Sequence, residues 1–215
     1  MKFNLIIIVL LAAGSLSAGI NNPDNIQGVE QYGLFYINQK PPEYFEDFYQ
    51  LYNKRLYYGE DNIRANMRYL FTALRSQFRH PSKALCLLKN EQEEKKYKAL
   101  LTMHVYVKIM QNYLTLGSLY DKRYIYHFNM PFKEDLKKSL QYAKFYYTKA
   151  KQYWQKVLKY AGDASGYKER ISIAYLEDEL YFILNRNEEV DWDYEYTFNL
   201  HLSHLEKNLR KLDSP

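Results

Sequence analysis

Between residues 132 and 161 the apolar side chains recur at steps of four and three without a break. Leu136, Ala143, Ala150 and Val157 return every seven residues, and Leu140, Tyr147, Trp154 and Ala161 form a second row beside them. Such a pattern draws one continuous stripe on an α-helix and cannot be satisfied by a strand, whose side chains alternate with period two. One row is mostly small and the other carries two large rings, which suits close packing against a neighbouring helix. A third row, Tyr146, Tyr153 and Tyr160, widens the apolar face beyond a single seam. The spacing therefore predicts a helix held between two neighbours, as in a helical stack.

The rest of the chain follows the same rule. Helical periodicity predicts segments near 43–57, 60–79, 82–89, 91–119, 167–186 and 193–212. The third and fourth are separated from what precedes them by His80-Pro81-Ser82, because a residue before proline avoids the α region. In 91–119 the positions Leu100, Met103, Val107, Met110, Leu114 and Gly117 step by three and four, behind glutamates suited to a helix N-terminus. The aromatic connection 121–131 (DKRYIYHFNMP) joins this helix to the long one, which the cluster 162–166 (GDASG) is expected to end. Asp191 or Asp193 is placed to cap the last helix. The predicted class is all-α, with antiparallel helical hairpins joined by short connections.

The first 42 residues differ. Lys2, the apolar run 5–13 (LIIIVLLAA) and the small residues that follow have the form of an export signal, with cleavage expected near Ala18. The run is too short for a membrane span of about 20 residues, which leaves an uncleaved anchor as the weaker reading. Leu16-Ser17-Ala18 is followed by Gly19 where a lipidated protein needs cysteine, so the expectation is a soluble, non-lipidated, periplasmic chain. Residues 19–42, with Pro23, Gly28, Gly33, Pro41 and Pro42, read as an extended arm. Its apolar middle (YGLFYINQ), with Leu34, Phe35 and Tyr36, is expected to lie on the body or on a partner. The mature domain is then 43–215.

The single cysteine, Cys86, cannot form an internal disulfide and is expected to be a small buried hydrophobe. The net charge of +5 falls to +4 once Lys2 is removed, and acidic stretches interrupt it. It lacks the concentrated basic stripe of a nucleic-acid surface. The sequence offers no catalytic constellation. The 162–168 stretch (GDASGYK) has the wrong spacing for a phosphate loop, and Ser165 lacks the glycines of a nucleophile elbow. His201 and His204 share a helix face, but a metal site would require further ligands. No cofactor is implied. Two rings stand off the stripe: Tyr142 and Phe145, beside Lys149, are expected on the opposite, polar face as partner contacts.

Residues 147–162 (YTKAKQYWQKVLKYAG) resemble the second helix of a tetratricopeptide repeat, through Ala150, Trp154, Val157, Leu158 and Gly162. Residues 65–69 (ANMRY) echo it. The first-helix motif of that repeat has no counterpart upstream. The tyrosine-, lysine- and asparagine-rich style is also similar to that of periplasmic helical-repeat proteins of spirochaetes, among them components of the flagellar motor collar. The resemblance implies a short superhelix acting as a non-enzymatic scaffold for envelope proteins. A solute- or glycan-binding protein with a tyrosine-lined pocket is the alternative, and a helical lytic transglycosylase the third, for which no glutamate stands out as the acid.

Overall fold

The computed structural model of the chain describes residues 42–52, 59–185 and 193–213. Among these the fold is all-α, with no strand. Six α-helices follow one another: α1 (Phe45–Tyr52), α2 (Glu60–Arg75), α3 (Glu91–Tyr120), α4 (Lys133–Ser165), α5 (Ala174–Leu184) and α6 (Tyr194–Asp213). Short 3₁₀ turns occupy Pro81–Lys83 and His127–Phe132. The export signal and all of the arm except Pro42, including Leu34, Phe35 and Tyr36, lie outside the described residues.

The antiparallel pair α3–α4 is the centre. The predicted stripe of α4 is buried: Leu140, Ala143, Tyr147, Ala150, Trp154, Val157 and Ala161 are each no more than 1% exposed. Side chains on two edges of α4 meet two other layers. On one edge Phe71 of α2 packs on Tyr153 (centroids 5.8 Å apart) and Arg64 bonds the Tyr146 hydroxyl. On the other, Tyr194 and His201 of α6 pack on Trp154 and Tyr147 at 5.0 and 4.4 Å. α3 is buried nearly all round, from Leu101 and Val105 to Val107 and Met110, which is what a helix in a middle layer requires. At 30 and 33 residues, α3 and α4 are each close to the length of a whole two-helix tetratricopeptide unit, about 34 residues.

Several boundaries depart from the periodicity for identifiable reasons. Residues 82–89 form no α-helix beyond the 3₁₀ turn, because side chains take the amides a helix would use. Leu85 N donates to the Tyr97 hydroxyl (3.2 Å), and Lys89 N to Glu93 Oε2 (2.7 Å). α2 ends at Arg75, since Gln77 O accepts Phe45 N (2.9 Å) and Arg79 N donates to Glu46 Oε2 (3.0 Å). α4 runs through Gly162 to Ser165, where the burial of Ala161 and Ala164 outweighs the helix penalty of one glycine, about 1 kcal/mol. α5 begins at Ala174 rather than 167, because the segment before it is held extended. Lys96 Nζ takes the Glu169 carbonyl (2.5 Å) and Ile171 N donates to Glu177 Oε1 (3.0 Å). Asn90 caps α3 through Glu93 N (2.8 Å), and Asp193 caps α6 through Tyr196 N (3.0 Å). Cys86 is half-buried rather than buried, and burial pushes its thiol pKa up.

Candidate functional site

The tyrosines show what the aromatic excess is used for. α3 carries Tyr106, Tyr113 and Tyr120, and α4 carries Tyr146, Tyr153 and Tyr160, each set spaced by seven. Antiparallel packing interleaves them into one column. From Tyr160 the centroids run to Tyr106 (5.4 Å), Tyr153 (6.1 Å), Tyr113 (5.3 Å), Tyr146 (6.4 Å), Tyr120 (5.8 Å) and Tyr142 (5.3 Å). Separations in this range suit offset or tilted ring packing. The hydroxyls find partners at the margin: Tyr120 donates to Glu60, which also holds Arg64. The rings thus fill a seam along the long hairpin and do not converge on one closed pocket.

This column corrects the reading of Tyr142 and Phe145. They do not stand on an opposite polar face. Tyr142 is one helical turn before Tyr146 and belongs to the same row, and its ring lies on Tyr120. Phe145 meets Tyr146 edge-on at 5.4 Å. Both are half-buried and packed against the main core, with Lys149 half-buried on the same side. The row 146–153–160 faces α2, and rings one turn away are gathered at its margin.

The buried polar groups pair across layers. His104 Nδ1 lies 2.7 Å from Glu179 Oε2, between the rings of Tyr49 and Tyr175. Lys96 Nζ meets Glu177 at 2.9 Å, and Tyr97 donates to the fully buried Glu46 at 2.9 Å. Burial, with the neighbouring carboxylate, pushes the Tyr97 phenol pKa up. Each of these contacts ties α3 to α1 or α5. His201 and His204 do share a face of α6. Their Nδ1 atoms lie 3.6 and 3.9 Å from the two oxygens of Asp121, and Tyr147 donates to the same carboxylate at 3.1 Å. Among the described residues no group of three or more His, Cys, Asp or Glu side chains is placed to hold a metal ion.

Among the described residues, the exposed large apolar side chains, besides Leu87 and Tyr175, fall in two groups. The outward sides of α5 and α6 leave Tyr181, Leu184, Tyr196 and Leu200 exposed, with Tyr196 at 61%. The α3–α4 connection and its flanks leave Leu119, Tyr124, Tyr126, Met130 and Phe132 exposed. The opposite end of the α3–α4 pair carries an open groove of about 350 Å³ lined by Lys95, Lys98, Ala99, Thr102, Tyr160, Asp163 and Tyr167.

Residues 92–214 match a family described as a domain of unknown function, DUF8513. The match spans α3 to α6 and more than half of the sequence. The chain belongs to the DUF8513 family. No curated protein and no solved structure matches it. The DUF8513 region thus contains the long hairpin, α5 and α6, with both of these exposed groups, while α1 and α2 precede it. The exposed residues of α5 and α6 were not singled out by sequence. Tyr196 and Leu200, four apart on the side of α6 away from the stripe Phe198, Leu202, Leu205, Leu209 and Leu212, were the available signal.

Proposed function

We propose that the chain is a non-enzymatic, exported scaffold that holds other envelope proteins together in the periplasm. The observation that carries this is the outward side of the last two helices. A stack of helices normally ends in a layer with a polar exterior, because nothing covers it. Here α5 and α6, the last two helices of the chain, keep Tyr181, Leu184, Tyr196 and Leu200 in water. A partner layer seated there would bury them, and tyrosine combines contact area with a hydroxyl as interface residues do. Export rests on the leader-like first 18 residues, and a place in an envelope assembly such as a motor collar on the resemblance described above. The test is crosslinking in the native cell with mass-spectrometric identification, comparing the parent with Tyr181→Ser/Tyr196→Ser/Leu200→Ser. The variant should melt as the parent does and lose specific captured proteins. A folded variant that retains every partner would refute this assignment of the surface.

A second reading has one observation in its favour. The open groove of about 350 Å³ falls within the size range of small-ligand sites and offers two tyrosines, Thr102 and the Asp163 carboxylate. It would suit a solute or a short glycan. Tyr160→Ala with Tyr167→Ala should then abolish solute binding measured by calorimetry while leaving the crosslinked partners in place.

A further inference from the structure

We propose that the α3–α4 connection is a docking tip for an anionic lipid surface. The proposal is independent of the scaffold reading, which rests on α5 and α6. The segment is firmly held. Ser139 Oγ donates to Tyr120 O (2.8 Å), Asn208 Nδ2 donates to Lys122 O (2.8 Å), and Tyr147 fixes Asp121. Ile125 packs into the smaller core between α4 and α6. Its neighbours Tyr124 and Tyr126 stand in water, as does Phe132, with exposures of 65%, 52% and 62%. Leu119 and Met130 are exposed beside them. A pinned backbone presents these side chains outward, with Tyr124 and Tyr126 ring to ring at 6.2 Å.

The charges around them favour one kind of partner. Lys122 and Arg123 precede the rings, with the Arg123 guanidinium 5.8 Å from the Tyr124 ring centre. The C-terminal half of α6 reaches the same end through Asn208, and it adds the exposed Lys207 and Lys211. Among the described residues none of Lys122, Lys207 and Lys211 has an acid within ion-pair distance, whereas Lys137 is matched by Asp213 at 2.7 Å. The acids Glu134 and Asp135 follow Phe132. Tyrosine and phenylalanine favour the headgroup level of a bilayer, and each cation near an anionic leaflet adds about 1 kcal/mol, or about fivefold in affinity. Among the described residues no helix is long and apolar enough to cross a membrane, so the contact is with the surface.

The experiment is co-sedimentation with phosphatidylglycerol–phosphatidylcholine vesicles and with phosphatidylcholine vesicles, at low and high salt. It uses the chain as expressed and processed in its native cell. The parent should sediment with the anionic vesicles at low salt only. Lys122→Ser/Arg123→Ser should weaken binding by about 25-fold, from about fivefold per charge. Tyr124→Ser/Phe132→Ser should weaken it at least about tenfold. Tyr181→Ser/Tyr196→Ser should leave it unchanged, so failure here and failure of the scaffold reading are distinguishable. A parent that ignores anionic vesicles overturns the proposal, as do folded tip variants that bind like the parent. Loss of crosslinked proteins from tip variants without any vesicle binding also overturns it and makes the tip a protein interface. If the ring variant does not fold, the charge variant, which removes no core contact, decides the matter.

Discussion

Asn66 of α2 is fully buried, and among the described residues neither its Oδ1 nor its Nδ2 has a hydrogen-bond partner. An unsatisfied buried amide costs about 1–3 kcal/mol. Asn66→Leu, which keeps the branched side-chain skeleton and is free of that cost, should raise stability by about 1–2 kcal/mol in a urea melt. A loss of stability would mean that the amide has a partner. Two glycines give a matched contrast. At Gly117 an added Cβ would lie 2.6 Å from Tyr147 Cδ1, and that ring is itself fixed by Asp121 and His201. At Gly162 an added Cβ meets nothing within 4 Å. Both positions are helical, so alanine improves helix propensity equally. Gly117→Ala should destabilise by about 1–3 kcal/mol through overpacking, and Gly162→Ala should stabilise by up to about 1 kcal/mol. Thermal melts that rank the two the other way would contradict the close approach of α3 and α4.

At the level of the helix, the spacing of α4 was legible because burial and periodicity coincide along it. Trp154→Ala should cost about 3–5 kcal/mol, the range for a buried ring, whereas Lys151→Ala, which loses one exposed bond to Asn199 (3.1 Å), should stay within about 0.5 kcal/mol. Denaturant curves decide between this and a misplaced stripe. The ends of the elements were less legible, since distant side chains set them: Tyr97 and Glu93 claim the amides of 85 and 89, and Glu177 that of Ile171. The same limit hid the environment of Tyr142 and Phe145, because a heptad frame assigns faces but cannot say that Tyr120 of α3 reaches Tyr142 or that Phe145 turns onto Tyr146. α1 has an acid-sensitive start. Burial of Asp47 opposes ionisation, but the amides of Glu43 and Tyr44 and the Arg79 guanidinium outweigh it and hold the carboxyl pKa below its usual value. A depressed folded-state pKa contributes stability above the unfolded-state value, and that contribution disappears as pH falls through the folded-state value. Asp47→Asn should therefore narrow the stability gap between neutral and acidic solution, and equal acid sensitivity in parent and variant would rule this out.

Across the whole molecule, α1, α2, α5 and α6 pack around α3 and α4, and α1 meets α5 through the Tyr49 and Tyr175 hydroxyls (3.1 Å). Opening them requires an outer layer to leave first, so amides in the middle of α3 and α4 should exchange with solvent at the rate of global unfolding, and those of α1 and α5 faster. Hydrogen exchange that protects all layers equally would argue against a layered hierarchy. Sequence periodicity was enough to expect stacked hairpins. It also gave the two long helices close to their observed spans; what it missed is the shortness of α5, which begins at Ala174 because Lys96 and Glu177 hold the residues before it extended.

The column of rings has an optical consequence. Seven phenols lie within 6.4 Å of one another in sequence along the seam, and Trp154 follows Tyr153 directly in the chain. Light absorbed by the tyrosines should migrate along the column and emerge largely as indole emission. The separation of the layers would then be visible without any added dye, as a return of tyrosine fluorescence.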